Sequence, residues 1–155
     1  MKRFITCCVL SGISVLLLVS LTAGLACADD KETAVKLVKA AVAYLAANGE
    51  EKGLDALNNP NGEFVKGELY VFAYDMNGVL LANSFRLNLL GQNLLDVPDA
   101  NGKKFRREII ELAKSKGSGW VDYAYQNPKT KQVEQKTTYL EKAGDMVLCC
   151  GIYKK

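Results

Sequence analysis

The 155-residue chain contains no histidine. The residue most used as a general base and metal ligand is therefore missing, so Ser-His or Cys-His catalysis and imidazole-held metal or haem have no basis. Cysteine is scarce where it could matter. Of the five, Cys7, Cys8 and Cys27 lie in the first 28 residues, which leaves only the adjacent pair Cys149 and Cys150. No CxxC pair exists for metal or redox work. Neighbours on a strand point to opposite faces, so the pair reads as two small apolar residues, with a vicinal disulfide as the alternative. GxSxG is absent, and Gly117-Ser118-Gly119 precedes a strand-like segment rather than a helix, which is the wrong setting for a dinucleotide loop. No enzyme activity and no cofactor are expected.

Charge of one sign is lacking too. Removing Lys2 and Arg3 from a net charge of +3 leaves +1, and no basic block is interleaved with exposed aromatics, so nucleic acid is not a partner. No long apolar run follows the first 28 residues, which excludes a second membrane span. The first run, Phe4 to Ala28 behind Lys2-Arg3, ends Ala26-Cys27-Ala28 and reads as a signal peptide over 1–28, cleaved after Ala28. A lipidated Cys27 is the alternative, set against by Gly24 where an aliphatic residue is usual. Residues 29–155 then form one domain, periplasmic or secreted, with no membrane span.

Within that domain the apolar residues Val35, Val38, Val42 and Leu45, flanked by Ala34, Leu37, Ala41 and Tyr44, predict a long helix from Asp30 to Asn48. Glu50 to Leu57 follows as a short helix. A hairpin comes next, Glu68 to Tyr74 and Val79 to Asn83 around the turn signal Asn77-Gly78. Ser84 to Gly102 is a long connection, read as a lid. Asp99 or Asn101 caps the next helix, which buries Phe105, Ile109, Leu112 and Ala113 and turns Lys103, Lys104, Arg106, Arg107, Glu108 and Glu111 to water. Three strand segments at hairpin spacing close the chain between Gly119 and Tyr153. The elements compose an α+β fold with a five-stranded antiparallel sheet.

In order along the chain, Tyr70-Val71-Phe72-Ala73-Tyr74-Asp75 with Asn77-Gly78, Gly91-Gln92-Asn93-Leu94, Gly117 to Tyr123, Gln135 to Tyr139 and Gly151-Ile152-Tyr153 resemble the extracytoplasmic single Cache domain, type 2, whose fold is PAS-like. The resemblance implies a sensor module that holds a small organic anion or amino acid between the sheet and the loop-helix segment. In receptors such a module sits between two membrane spans and feeds an output domain; here the expectation is a free-standing exported form, with a membrane receptor or another protein as partner. The family's frequent His-Pro after the first hairpin is replaced by Asn83-Ser84-Phe85-Arg86.

The candidate ligand-binding residues are Lys136, Arg86, Tyr123, Tyr125, Trp120, Tyr139 and Asn93. Lys136 leads, since a lysine in mid-strand can pair its ammonium with a carboxylate; a solvent-facing lysine is the alternative. Arg86 offers a bidentate clamp, the aromatics a polar-tipped wall, and Asn93 a contact or a turn. Parity constrains the set: Lys136 and Tyr139 face opposite ways, as do Trp120 and the pair Tyr123 and Tyr125. A module that uses the fold without a ligand is the second reading.

Overall fold

A computed structural model of the chain describes residues 22–154, with side chains from residue 29 onward. The signal peptide read over 1–28 therefore lies largely outside the described residues. Among the described residues, no helix is long and apolar enough to cross a membrane.

The elements run α1 (Thr22–Asn48), α2 (Glu50–Asn58), β1 (Val65–Lys66), β2 (Leu69–Asp75), β3 (Leu80–Asn83), a 3-10 turn (Leu87–Leu89), α3 (Phe105–Lys116), β4 (Ser118–Gln126), β5 (Val133–Ala143) and β6 (Met146–Tyr153). All pairings are antiparallel, in the order β1-β2-β6-β5-β4, with β3 sharing the outer edge of β2. The expected α+β, PAS-like architecture is present, with one strand more than expected. The addition is β1, whose two residues are too few to carry a period. It returns to β2 through Gly67 at φ 63°.

The two central strands explain why the sheet has two cores. β6 is buried along its whole length and β2 along all but its last residue, as strands covered on both faces must be. On one face Val71, Ala73, Leu148, Cys150 and Ile152 meet Leu37, Val38, Ala41 and Leu45 of α1. The buried stripe of α1 is centred on Ala34, Leu37, Val38, Ala41 and Leu45, while Val35, Val42 and Tyr44 sit at its margin. Gly53 of α2 lies so close to Leu45 that a Cβ there would fall 2.4 Å from its Cγ, so glycine sets the approach of the two helices. On the other face Tyr70, Phe72, Tyr74, Val121, Tyr123, Leu140, Val147 and Cys149 meet Phe105, Ile109, Ile110 and Ala113 of α3. Cys149 and Cys150 are both free and buried, one in each core.

The connection 84–102 is pinned rather than loose. Gly91 N–H donates to Leu80 C=O (2.9 Å), Leu80 N–H to Gln92 C=O (3.0 Å) and Leu94 N–H to Gly78 C=O (2.9 Å), so its middle runs along the first hairpin. Asp99 does not cap α3, whose N-cap is Lys104 without a side-chain bond. Instead Asp99 Oδ1 accepts from the N–H of Asn101 (2.9 Å) and Lys103 (2.8 Å), and Oδ2 from Ala124 N–H (2.8 Å). That single carboxylate closes its own turn and ties the connection to β4.

Candidate functional site

The face under α3 concentrates the polar chemistry. Register places Lys136 opposite Tyr123 on one side and Tyr153 on the other, and directly opposed residues share a face. Lys136 is 1% exposed. Its Nζ donates to Tyr70 OH (3.0 Å) and Tyr153 OH (3.4 Å) and lies 4.6 Å from the ring centres of both tyrosines, with Phe72 at 5.3 Å and Tyr125 at 5.7 Å. The ammonium thus sits in an aromatic cage, each face contributing a fraction of a kcal/mol to about 2 kcal/mol. The side chain crosses β6 at Gly151, where a Cβ would stand 1.9 Å from Lys136 Cε.

What the cage lacks is a counter-ion. Among the described residues no carboxylate comes within ion-pairing distance of Lys136. A buried charge without a partner is costly and commonly marks a function.

Arg106 is a second such cation and corrects the expected wet face of α3. It is 4% exposed. Nε donates to Tyr74 OH (3.1 Å), Nη1 to Val97 C=O (3.1 Å), and the guanidinium carbon stands 4.2 Å from the Phe105 ring centre and 5.8 Å from that of Tyr125. Among the described residues it has no carboxylate partner, whereas its neighbour Arg107 is exposed and paired with Asp96 at 2.7 Å. The signal that could have found it is spacing: Arg106, Ile110 and Ala113 share a side, so the buried stripe is one residue wider than Phe105 and Ile109 suggest.

Beside Lys136 lies a small chamber of about 10 Å³ lined by Tyr70, Phe72, Tyr74, Asn83, Phe105, Tyr123, Tyr125 and Lys136. It has room for about one water molecule. Tyr123 stacks on Phe105 with ring centres 3.8 Å apart, and its hydroxyl bonds Thr138 Oγ1 at 2.9 Å. Burial pushes the hydroxyls of Tyr74, Tyr123 and Tyr153 well up, so these phenols stay protonated; Tyr153 OH donates to Gln126 C=O (3.3 Å), whereas Tyr74 OH accepts from Arg106 and keeps its own proton to donate. Burial likewise pushes the Cys150 thiol up to about 12, and Cys149 still higher, which keeps both as inert thiols.

Of the remaining expected residues, Arg86 lies outside this chamber. It is half-buried, donates to Gln126 Oε1 (3.0 Å) and lines a larger open cavity of about 540 Å³ together with Arg106 and Tyr125. Trp120 and Tyr139 pair with each other across β4 and β5 on the α1 face, ring centres 5.3 Å apart. Tyr139 OH donates to Glu141 (2.9 Å), and Lys31 covers Trp120 at 5.4 Å. Neither can line the chamber under α3. Asn93 is exposed and its amide is spent on a turn, accepting from Leu95 N–H (3.0 Å) and donating to Asn77 C=O (3.1 Å). Tyr70, Phe72, Tyr74 and Tyr153 were not among the expected residues, because buried strands without alternation do not announce which side chains share a face.

The fold is similar to that of a methyl-accepting chemotaxis protein from Vibrio parahaemolyticus, with a TM-score of 0.72 at 20% identity over 84% of this chain and 93% of that one. It is similar also to a Cache chemosensory domain described for carboxylic acid recognition, with a TM-score of 0.66 at 21% identity over 88% and 100% of the two chains. In sequence, 71 residues are 34% identical to a sensor histidine kinase, MctS, of Rhizobium johnstonii; they make up 46% of this chain and 15% of the kinase, so only a small part of that protein is matched. The family model for single Cache domain 2 matches residues 29–155, and the chain belongs to this family of extracytoplasmic sensor domains.

Proposed function

We propose that the protein is an exported sensor module that holds a small organic carboxylate in the chamber under α3. The observation that carries this reading is the ammonium of Lys136, buried, caged by aromatic rings and without a carboxylate within ion-pairing distance among the described residues. A ligand carboxylate supplies the missing charge, accepts from Lys136, and receives further hydrogen bonds from the surrounding phenols. Carboxylic acid recognition by a similarly folded domain points the same way. The lining contains no acidic side chain to receive an α-ammonium, which favours plain or oxo acids over amino acids.

The ligand is small. A chamber of about 10 Å³ must widen to admit it, and Tyr125 is the one lining side chain that is not fully buried and so has room to turn. That same volume favours the second reading, a module that uses the fold to present a surface and holds no ligand. Calorimetric titration of the purified protein with acetate, propionate, pyruvate and alanine separates the two. The expected result is binding of the acids but not of alanine, weakened at least roughly 100-fold in Lys136→Met, about 3 kcal/mol, in the range measured for losing one partner of a buried charge pair. Undiminished affinity in a folded Lys136→Met protein would remove Lys136 from the site, and no binding by any acid would leave the second reading standing.

A further inference from the structure

The cavity of about 540 Å³ beyond Tyr125 is larger than a small monocarboxylate requires, and within the range of ordinary small-molecule sites. Its charged lining groups are Arg86, Arg106 and Asp99. The two arginines differ in how much of each guanidinium is free. Arg106 is held by Nε to Tyr74 OH and Nη1 to Val97 C=O, and among the described residues its Nη2 has no hydrogen-bond partner. Arg86 is steadied by one bond, Nη2 to Gln126. Asp99 stays charged but pairs with neither: its carboxylate oxygens are occupied by three backbone N–H groups, and among the described residues it forms no ion pair with either arginine, so the lining keeps a net positive charge. The side chains of Asn88 and Gln92 complete a polar rim.

We infer that this outer cavity is a second, separate anion site, built for a multiply charged organic acid, a di- or tricarboxylate, with one carboxylate on Arg106 and another on Arg86. Two guanidinium groups on one cavity suit two carboxylates, because each keeps N–H donors outside its protein bonds, Nη2 in Arg106 and the Nε and Nη1 side of Arg86. A single carboxylate would leave one of them unmatched. The site is distinct from the chamber of Lys136, with the Tyr125 ring as the shared wall between them.

The test is a crossed titration with succinate, citrate and acetate as probes, using the wild-type protein, Arg86→Ala, Arg86→Lys and Lys136→Met, each checked for a cooperative melt. Succinate or citrate is expected to bind the wild type and Lys136→Met alike and to weaken tenfold or more in Arg86→Ala. Arg86→Lys, which keeps the charge but loses the fork, is expected to fall between. Amide shifts in an NMR titration should appear at residues 86–92 and 124–126 and leave residues 151–153 unmoved. Equal binding in Arg86→Ala, loss of di- and tricarboxylate binding in Lys136→Met, or no binding of either probe to the wild type would overturn the second site. Failure of acetate alone, with succinate or citrate still bound, would count against the inner chamber and leave this site in place.

Discussion

Replacing Gly151 by alanine tests whether Lys136 is held in its cage by the bareness of the strand beneath it. Gly151 is not at a positive φ, so backbone strain is not the constraint. Space is: the added Cβ would stand 1.9 Å from Lys136 Cε, 2.5 Å from Thr138 Oγ1 and 2.9 Å from Lys136 Nζ. Thr138 belongs to the paired strand and bonds Tyr123 OH at 2.9 Å, so it has little room to yield. The lysine must leave instead. Departure breaks its bonds to Tyr70 and Tyr153 and its contacts with their rings, set against the recovered solvation of the ammonium and the small intrinsic gain of alanine over glycine in a strand. With overpacking of about 1–3 kcal/mol, the net cost is roughly 2–3 kcal/mol, a fall in melting temperature on the order of 10 °C for a domain of this size.

The assay is a double-mutant cycle in urea, followed by the fluorescence of Trp120, comparing wild type, Gly151→Ala, Lys136→Ala and the double variant. If the methyl acts through the lysine, Gly151→Ala costs much less once Lys136 has been truncated. The coupling should be about 1 kcal/mol or more, the residue being the contact with Thr138. Equal costs in both backgrounds would refute the reasoning, since the methyl would then be disturbing the strand and not the ammonium. A neutral Gly151→Ala would refute it more simply.

The adjacent arginines of α3 should respond oppositely to the same change. Arg106→Met removes two hydrogen bonds and a cation–π contact from a buried position and is expected to cost about 2–3 kcal/mol in urea midpoint analysis, whereas exposed Arg107→Met should be close to neutral; equal effects would return Arg106 to the solvent face. Asp99 gives a pH signature. Burial acts to raise its carboxyl, and the N–H groups of Ala124, Lys103 and Asn101 outweigh that and hold it below the ordinary range. Because the folded state releases the proton more readily than the unfolded chain, whose value is about 3.9, this contribution is full above that pH and fades as pH falls through the folded value. Urea midpoints of wild type and Asp99→Asn should therefore differ at pH 6 and converge towards pH 3, and a gap that stays constant would show that ionisation of Asp99 is not the source.

Much of this molecule could be read from residue order, and the gaps have physical causes. Helices α1 and α3 and the closing strands announced themselves by period, and Asn77-Gly78 by the turn chemistry it permits, with Gly78 at φ 85°. Lys136 stood out because a lone ammonium in an otherwise uncharged mid-strand stretch has few reasons to be there. Parity then separated it from Tyr139 without any coordinates, and the register agrees, Tyr139 facing Trp120 and Lys136 facing Tyr123. Parity could not say which face carries the chamber. Both faces of the sheet are covered by a helix, so alternation along one strand does not choose between them; the aromatic side chains do differ, with Tyr70, Phe72, Tyr74, Phe105 and Tyr123 buried under α3 against Phe64 and Tyr139 under α1.

The asymmetry lies in what each helix brings to its face. The α1 face is sealed by alanine, leucine and valine, leaving nothing to hold a charge. The α3 face receives Arg106 at one end and Lys136 at the other, with buried phenols between them. Arg106 was misread because four cations at 103, 104, 106 and 107 look alike in a row, and only the packing of Ile110 and Ala113 beside it decides which one turns inward. A candidate site in this fold is therefore best sought where buried cations without an acid coincide with aromatic side chains. Among the described residues both fall on the α3 face.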